Sequence, residues 1–274
     1  MEREKRYNLS PELKIGFLLL AILIFLAVFG PQIAPYRPGT FTDDLLHPPS
    51  RQYLFGTDGL GRDVYSLVLY GTRTSLRIGI LAASISMLIG TTIGALSGYY
   101  GGVLDKIVSE LINIFLMLPT LFLIIMVVAI FGSSIDNVII VIGVTSWMGT
   151  ARLMRAQTIS LKERTFVRAA RVIGEGDFMI LIRHIIPNGI FPVLANVTMS
   201  ISSAILYEAS LSFIGLGDPN VVSWGQIIYN GRNYMSSGWW VATCAGLGIV
   251  ITVFAFHLIS EGINRLLNPN LGRR

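Results

Sequence analysis

Residues 164–188, RTFVRAARVIGEGDFMILIRHIIPN, set Arg164, Arg168, Arg171 and Arg183 into one segment of an otherwise apolar chain. Phe166, Ala169, Ala170 and Ile173 fall at i, i+3, i+4 and i+7. Arg164, Arg168, Arg171 and Glu175 hold the opposite stripe, so the spacing predicts an amphipathic helix. Gly174 and Gly176 stop it, Asp177 is placed to cap the next helix, and Pro187 closes the segment before another apolar run. Such a helix can lie in the inner headgroup layer with its arginines on anionic lipid. It can equally dock in a groove of a soluble partner, where Ala169 and Ala170 permit close approach. The residues of this segment leave both readings open.

The surroundings set the class. The chain of 274 residues is 53% hydrophobic and 14% charged, against about 25% charged in soluble domains. With long apolar runs, this predicts an all-α polytopic membrane protein. Six stretches are long enough to cross a bilayer: 14–34, 76–97, 106–131, 136–158, 188–210 and 239–262. Pro119 is expected to kink the third without ending it. The run after Arg3, Lys5 and Arg6 lacks a small-x-small cleavage site and reads as an uncleaved first span.

An even number of spans leaves both termini on one side, and the positive-inside rule makes that side cytoplasmic. Of the 21 Lys and Arg residues, only Arg37, Arg51, Arg62, Arg73, Arg77 and Arg232 fall in outer segments. The opening segment is therefore expected inside, and the +5 net charge reflects topology, with no nucleic-acid partner. Gly90, Gly94 and Gly98 form a doubled GxxxG that suits close helix packing. Residues 35–75 read as a folded outer loop or short helices, and Trp224, Tyr229, Tyr234, Trp239 and Trp240 suit an outer aromatic belt.

Catalytic signatures are missing. GTDGLGRD (56–63) imitates a phosphate-binding loop, but Arg62 and Asp63 stand where Lys and a hydroxyl residue belong. Cys244 is alone, and His47, His184 and His257 are widely spaced, so no metal site is expected. Glu110 is expected to pair with Lys106, Glu208 to sit near water at a span end, and His257 to be a hydrogen-bonded interior residue. No series of acids crosses the bilayer, as an ion-driven carrier often needs. A secondary carrier, a channel and a scaffold remain the competing classes, and energy for uphill transport would come from another chain.

Ala169, Ala170 and Gly174, with Pro187 thirteen residues on, resemble the EAA loop of ATP-binding-cassette importer permeases. Arg168 stands where that motif usually has Glu. FGTDGLGRDVYS (55–66), YGTRTSLRIG (70–79), GYYGGVLD (98–105), RHIIPN (183–188) and LSFIGLGDP with SWG (211–219, 223–225) are similar to the second permease of dipeptide, oligopeptide and nickel importers. The resemblance covers nearly the whole chain. It implies the type I permease fold of ABC importers, with six transmembrane helices and both termini cytoplasmic. Residues 1–75 would hold the tail, first helix and outer loop, and 76–274 the core with a coupling loop at about 159–187. It also implies a related second permease, two cytoplasmic ATPase subunits that bind the ATP and Mg, and an extracytoplasmic substrate-binding protein. Arg164, Phe166, Arg168, Ala169, Ala170, Ile173, Gly174 and Pro187 would couple to the ATPase, and this chain itself would hold no cofactor and catalyse nothing. Substrate stays open among di- and oligopeptides, nickel and oligosaccharides.

Overall fold

The computed structural model describes residues 10–267, which are mostly helical with no strand. The helices are α1 (Pro11–Ile33), α2 (Val64–Tyr100), α3 (Gly102–Met117), α4 (Thr120–Phe131), α5 (Ile135–Thr145), α6 (Trp147–Lys162), α7 (Thr165–Val172), α8 (Asp177–Ile180), α9 (Ile186–Phe213), α10 (Trp224–Gly231) and α11 (Trp239–Leu267). Five helical runs among the described residues are long and apolar enough to cross a membrane, and there are six if the bent pair α3–α4 is one broken span. Arg3, Lys5, Arg6, Arg273 and Arg274, used in the charge argument, lie outside the described residues.

α2 is the axis. Asp63 caps it by accepting the Ser66 N–H at 2.8 Å, so residues 64–75 belong to this long helix, whereas the sequence suggested a separate outer loop or short helices. Its 37 residues rise about 55 Å, well beyond a hydrocarbon core of about 30 Å. The GxxxG reading holds in detail. A Cβ at Gly90 would lie 2.8 Å from the Trp147 carbonyl and one at Gly98 2.8 Å from that of Arg155, while at Gly94 it would strike the Ala151 carbonyl. Small residues thus let α2 lie directly on the α6 backbone.

Three spans depart from their expected form. Pro119 does more than kink the third: α3 stops at Met117, Leu118 is extended (φ −90°, ψ 132°), and α4 leaves at 88°. The proline ring disfavours helical backbone at the residue before it, which accounts for the break. The fourth span is interrupted at Ser146. Pro187 ends nothing, because helix runs from Asp177 to Phe213. A π turn at Leu181–Ile185, in which the Ile186 N–H reaches the Leu181 carbonyl, precedes the proline and absorbs its missing donor.

The ends of the bundle differ. At one end, residues 35–63 and α10 cap the helices. Trp240 Nε1 donates to the Thr57 carbonyl at 3.0 Å and Trp224 Nε1 to Val68 at 3.2 Å. Within GTDGLGRD, Asp58 accepts from the Leu60 and Arg62 N–H groups at 2.9 Å each, with Gly56 and Gly61 at positive φ. The motif is a structural turn. Glu208 is buried beneath this cap instead of being wet, and its Oε1 accepts from Ser212 at 2.8 Å and Ser223 at 2.6 Å. His257 lies on the exposed face of α11 and not in the interior. At the other end, Arg265 donates to Glu12 at 2.6 Å, joining α1 to α11. α1 runs antiparallel to α2, because Gly30 meets Leu69 near the start of α2. The Glu12–Arg265 end is therefore the end at which α2 finishes.

Candidate coupling site

The segment 164–188 is an elbow at that second end. α6 ends at Lys162, the chain turns through Glu163 and Arg164, and α7 begins at Thr165. At about 100° per residue, α7 has a face at Val167 and Ala170, and both are buried in a cluster with Tyr99, Met154, Ile180 and Ile185. The expected apolar stripe is therefore divided. Ala170 faces inward, whereas Phe166 (40% exposed), Ile173 (81%) and Val172 (87%) point outward with Ala169.

The helix stops sooner than the sequence suggested. Gly174 takes φ +87° with open space where a side chain would be, so it is required for conformation and not for clearance. Its N–H reaches the Arg171 carbonyl at 3.0 Å and the Glu175 N–H that of Ala170 at 3.1 Å, closing the helix end. Gly176 is the cap of α8 and Asp177 its first residue. Asp177 is used elsewhere, accepting the Tyr99 hydroxyl at 2.5 Å.

Tyr99 ties the elbow to the axis. Arg171 Nη2 donates to its hydroxyl at 3.4 Å, and Lys162 Nζ donates to its carbonyl at 2.6 Å. Both cations also lie over its ring, at 5.4 Å for Lys162 and 5.6 Å for Arg171. The hydrogen bond to Tyr99 holds the Arg171 guanidinium above its ordinary range, so the contact is charge-assisted. Nothing in the residue pattern singled out Tyr99, which GYYGG places next to last in α2. Nearby, Arg155 grips Asp105 with both guanidinium arms at 2.5 and 2.6 Å. That pair fixes α3 to α6, while the expected Lys106–Glu110 pair is not among the ion pairs of the described residues.

The remaining site residues are peripheral. Arg168 donates to Glu163 at 2.9 Å, with both side chains about two-thirds exposed. Arg164 is exposed at the start of α7, and Pro187 is exposed beyond the π turn. His184 Nε2 sits 2.7 Å from Glu175 Oε2, bracing the turn after Gly174 against the π turn that leads into α9. α7 is joined to α6 by the turn at Glu163 and Arg164, to α9 through α8 and the π turn, and to α2 by the Arg171–Tyr99 contact.

Residues 90–273 match the family model described as the binding-protein-dependent transport system inner membrane component. The chain belongs to this family. It is an importer permease of a multi-pass membrane type, and the ATPase and substrate-binding protein of such systems are separate subunits. The di/tripeptide transport system permease protein DppC of Pseudomonas aeruginosa is 37% identical, over 93% of this chain and 87% of that protein. The glutathione transport system permease protein GsiD of Escherichia coli is 40% identical, over 93% and 85%. In fold, the chain is similar to the inward-facing methionine ABC transporter MetNI, with a TM-score of 0.58 and 22% identity over 74% of this chain and 96% of that one.

Proposed function

We propose that this permease pairs with a related second permease to form the pathway of a short-peptide importer, and that the α7 crest is the seat of an ATPase subunit. The observation that carries the coupling role is the division of α7. Val167 and Ala170 anchor one face, and Phe166, Ala169, Val172 and Ile173 present an apolar crest on the other. An apolar crest at a water-exposed helix end marks an interaction site. ATP and Mg belong to the partner: its ATP-driven closure pushes α7, and α6, α9 and α2 carry the movement into the spans.

Peptide as substrate follows from the named relatives, DppC and GsiD, which transport di/tripeptides and glutathione by their names. Both termini are cytoplasmic in this reading, supported by the 15 basic residues of the inner segments. Residues 159–187 act as the coupling loop. The test is uptake of labelled di- and tripeptides by cells carrying the complete transporter. Uptake that requires the ATPase subunits and is lost in Gly174→Val is expected. Normal ATP-driven uptake in Gly174→Val would overturn the coupling role, and ion-gradient-driven uptake without the ATPase would favour a secondary carrier.

A further inference from the structure

Two helix breaks, far apart in sequence, meet at one place. Leu116 and Thr120 flank the break at Pro119, and Thr145 and Ser146 form the break between α5 and α6. Both line a cavity of about 140 Å³ midway along α2 and α9, together with Ser86, Ser200, Ser203 and Tyr207. Irregular backbone at membrane depth persists only where protein buries it or where it borders a water-filled cavity. The volume is far above the 10–15 Å³ or so that one water needs.

The lining mixes hydroxyl side chains with apolar ones such as Leu116, Ile142 and Met148, and carries no charge. Thr145 and Ser200 spend their hydroxyls on carbonyls of their own helices, at Val141 and Asn196. Ser86 does not: it is 1% exposed, and its Oγ has no hydrogen-bond partner among the described residues. Ser146 Oγ is likewise buried and unpartnered. A buried hydroxyl left unpaired is costly, so two at one cavity point to something that bonds them part of the time.

We propose that this cavity is a station on this subunit's side of the shared substrate path, where Ser86 and Ser146 take the amide and carboxyl oxygens of a passing short peptide. A hydroxyl donates to a carbonyl and accepts from an N–H, so it fits any peptide backbone and ignores the side chains. With no ion pair to break, the hold is weak enough for release, as a conducting pathway needs. The inference rests on the peptide-importer reading above.

The test uses the complete transporter in proteoliposomes with its ATPase subunits and binding protein. Ser86→Ala with Ser146→Ala removes both hydroxyls and leaves no partner behind. Peptide uptake should fall about tenfold, the effect of two modest hydrogen bonds, with basal ATPase unchanged. In a Cys244→Ser background, Ser203→Cys should react with a small water-soluble thiol reagent, and a transported peptide with ATP should slow the reaction at least threefold. Wild-type uptake in the double variant, together with labelling insensitive to peptide, would overturn the station while leaving the importer reading intact. Failure of the unmodified complex to import any peptide would overturn both.

Discussion

The two ends of the bundle use their surfaces in opposite ways. The capped end bonds mostly to itself: Asp58 closes its own turn, Trp240 and Trp224 hand their indole N–H groups to main-chain carbonyls, and Glu208 Oε1 is roofed by Ser223, with only its Oε2 left unpaired among the described residues. The elbow end is held only on one side. Its inner face is latched by Tyr99, Val167 and Ala170, and its outer face leaves Val172 and Ile173 more than four-fifths exposed. A largely self-bonded cap gives a fixed frame, and an incompletely buried elbow is where a partner can act on that frame.

Breaking the frame should have the largest effect. Trp224 is 1% exposed, and its indole packs on Gly248 of α11. Trp224→Ala should cost about 3–5 kcal/mol and remove most folded protein from the membrane, as detergent-solution thermal stability and membrane abundance would record. Gly94→Val should act nearly as strongly by forcing α2 off the Ala151 carbonyl of α6. Full abundance of either variant would mean that the cap and the α2–α6 contact are not the frame.

Changes at the elbow should separate assembly from folding. Gly174→Val sets a β-branched residue at φ +87°, costing about 1–2 kcal/mol locally. It should leave membrane abundance near normal while transport is lost. Tyr99→Phe keeps the ring and loses the hydroxyl shared by Asp177 and Arg171. It should lower peptide uptake a few-fold at unchanged ATPase binding, with Asp177→Asn adding little on top because the two act through one bond. Arg168→Ala should be the mildest change, within about 0.5 kcal/mol for so exposed a pair, and ATPase recovery should stay near normal.

Much of this was legible from residue pattern. Span count followed from apolar length, and Gly90, Gly94 and Gly98 carried their packing role in their spacing. Composition says less about where backbone gives way. Pro119 and Pro187 look alike in sequence, yet the first breaks its helix and the second is absorbed, because only the second follows a π turn that re-satisfies the backbone. Which apolar residues of α7 face inward depended on Tyr99, Met154 and Ile180, which are remote in sequence. Glu208 looked exposed because its cover, Ser223, arrives from a later loop. The candidate cavity was invisible for the same reason, since α2, α3, α4, α5, α6 and α9 each contribute only a residue or a few.

The most direct test of the central claim is affinity purification of this permease from membranes, with quantification of the ATPase subunit that accompanies it, for the wild type and for Ile173→Asp. Ile173 is 81% exposed and supports nothing inside the bundle, so the variant should reach the membrane at wild-type abundance. The account predicts that its recovered ATPase falls at least tenfold, about 1.4 kcal/mol or more of lost contact. Undiminished ATPase on Ile173→Asp would contradict the assignment of the α7 crest as the seat of the engine.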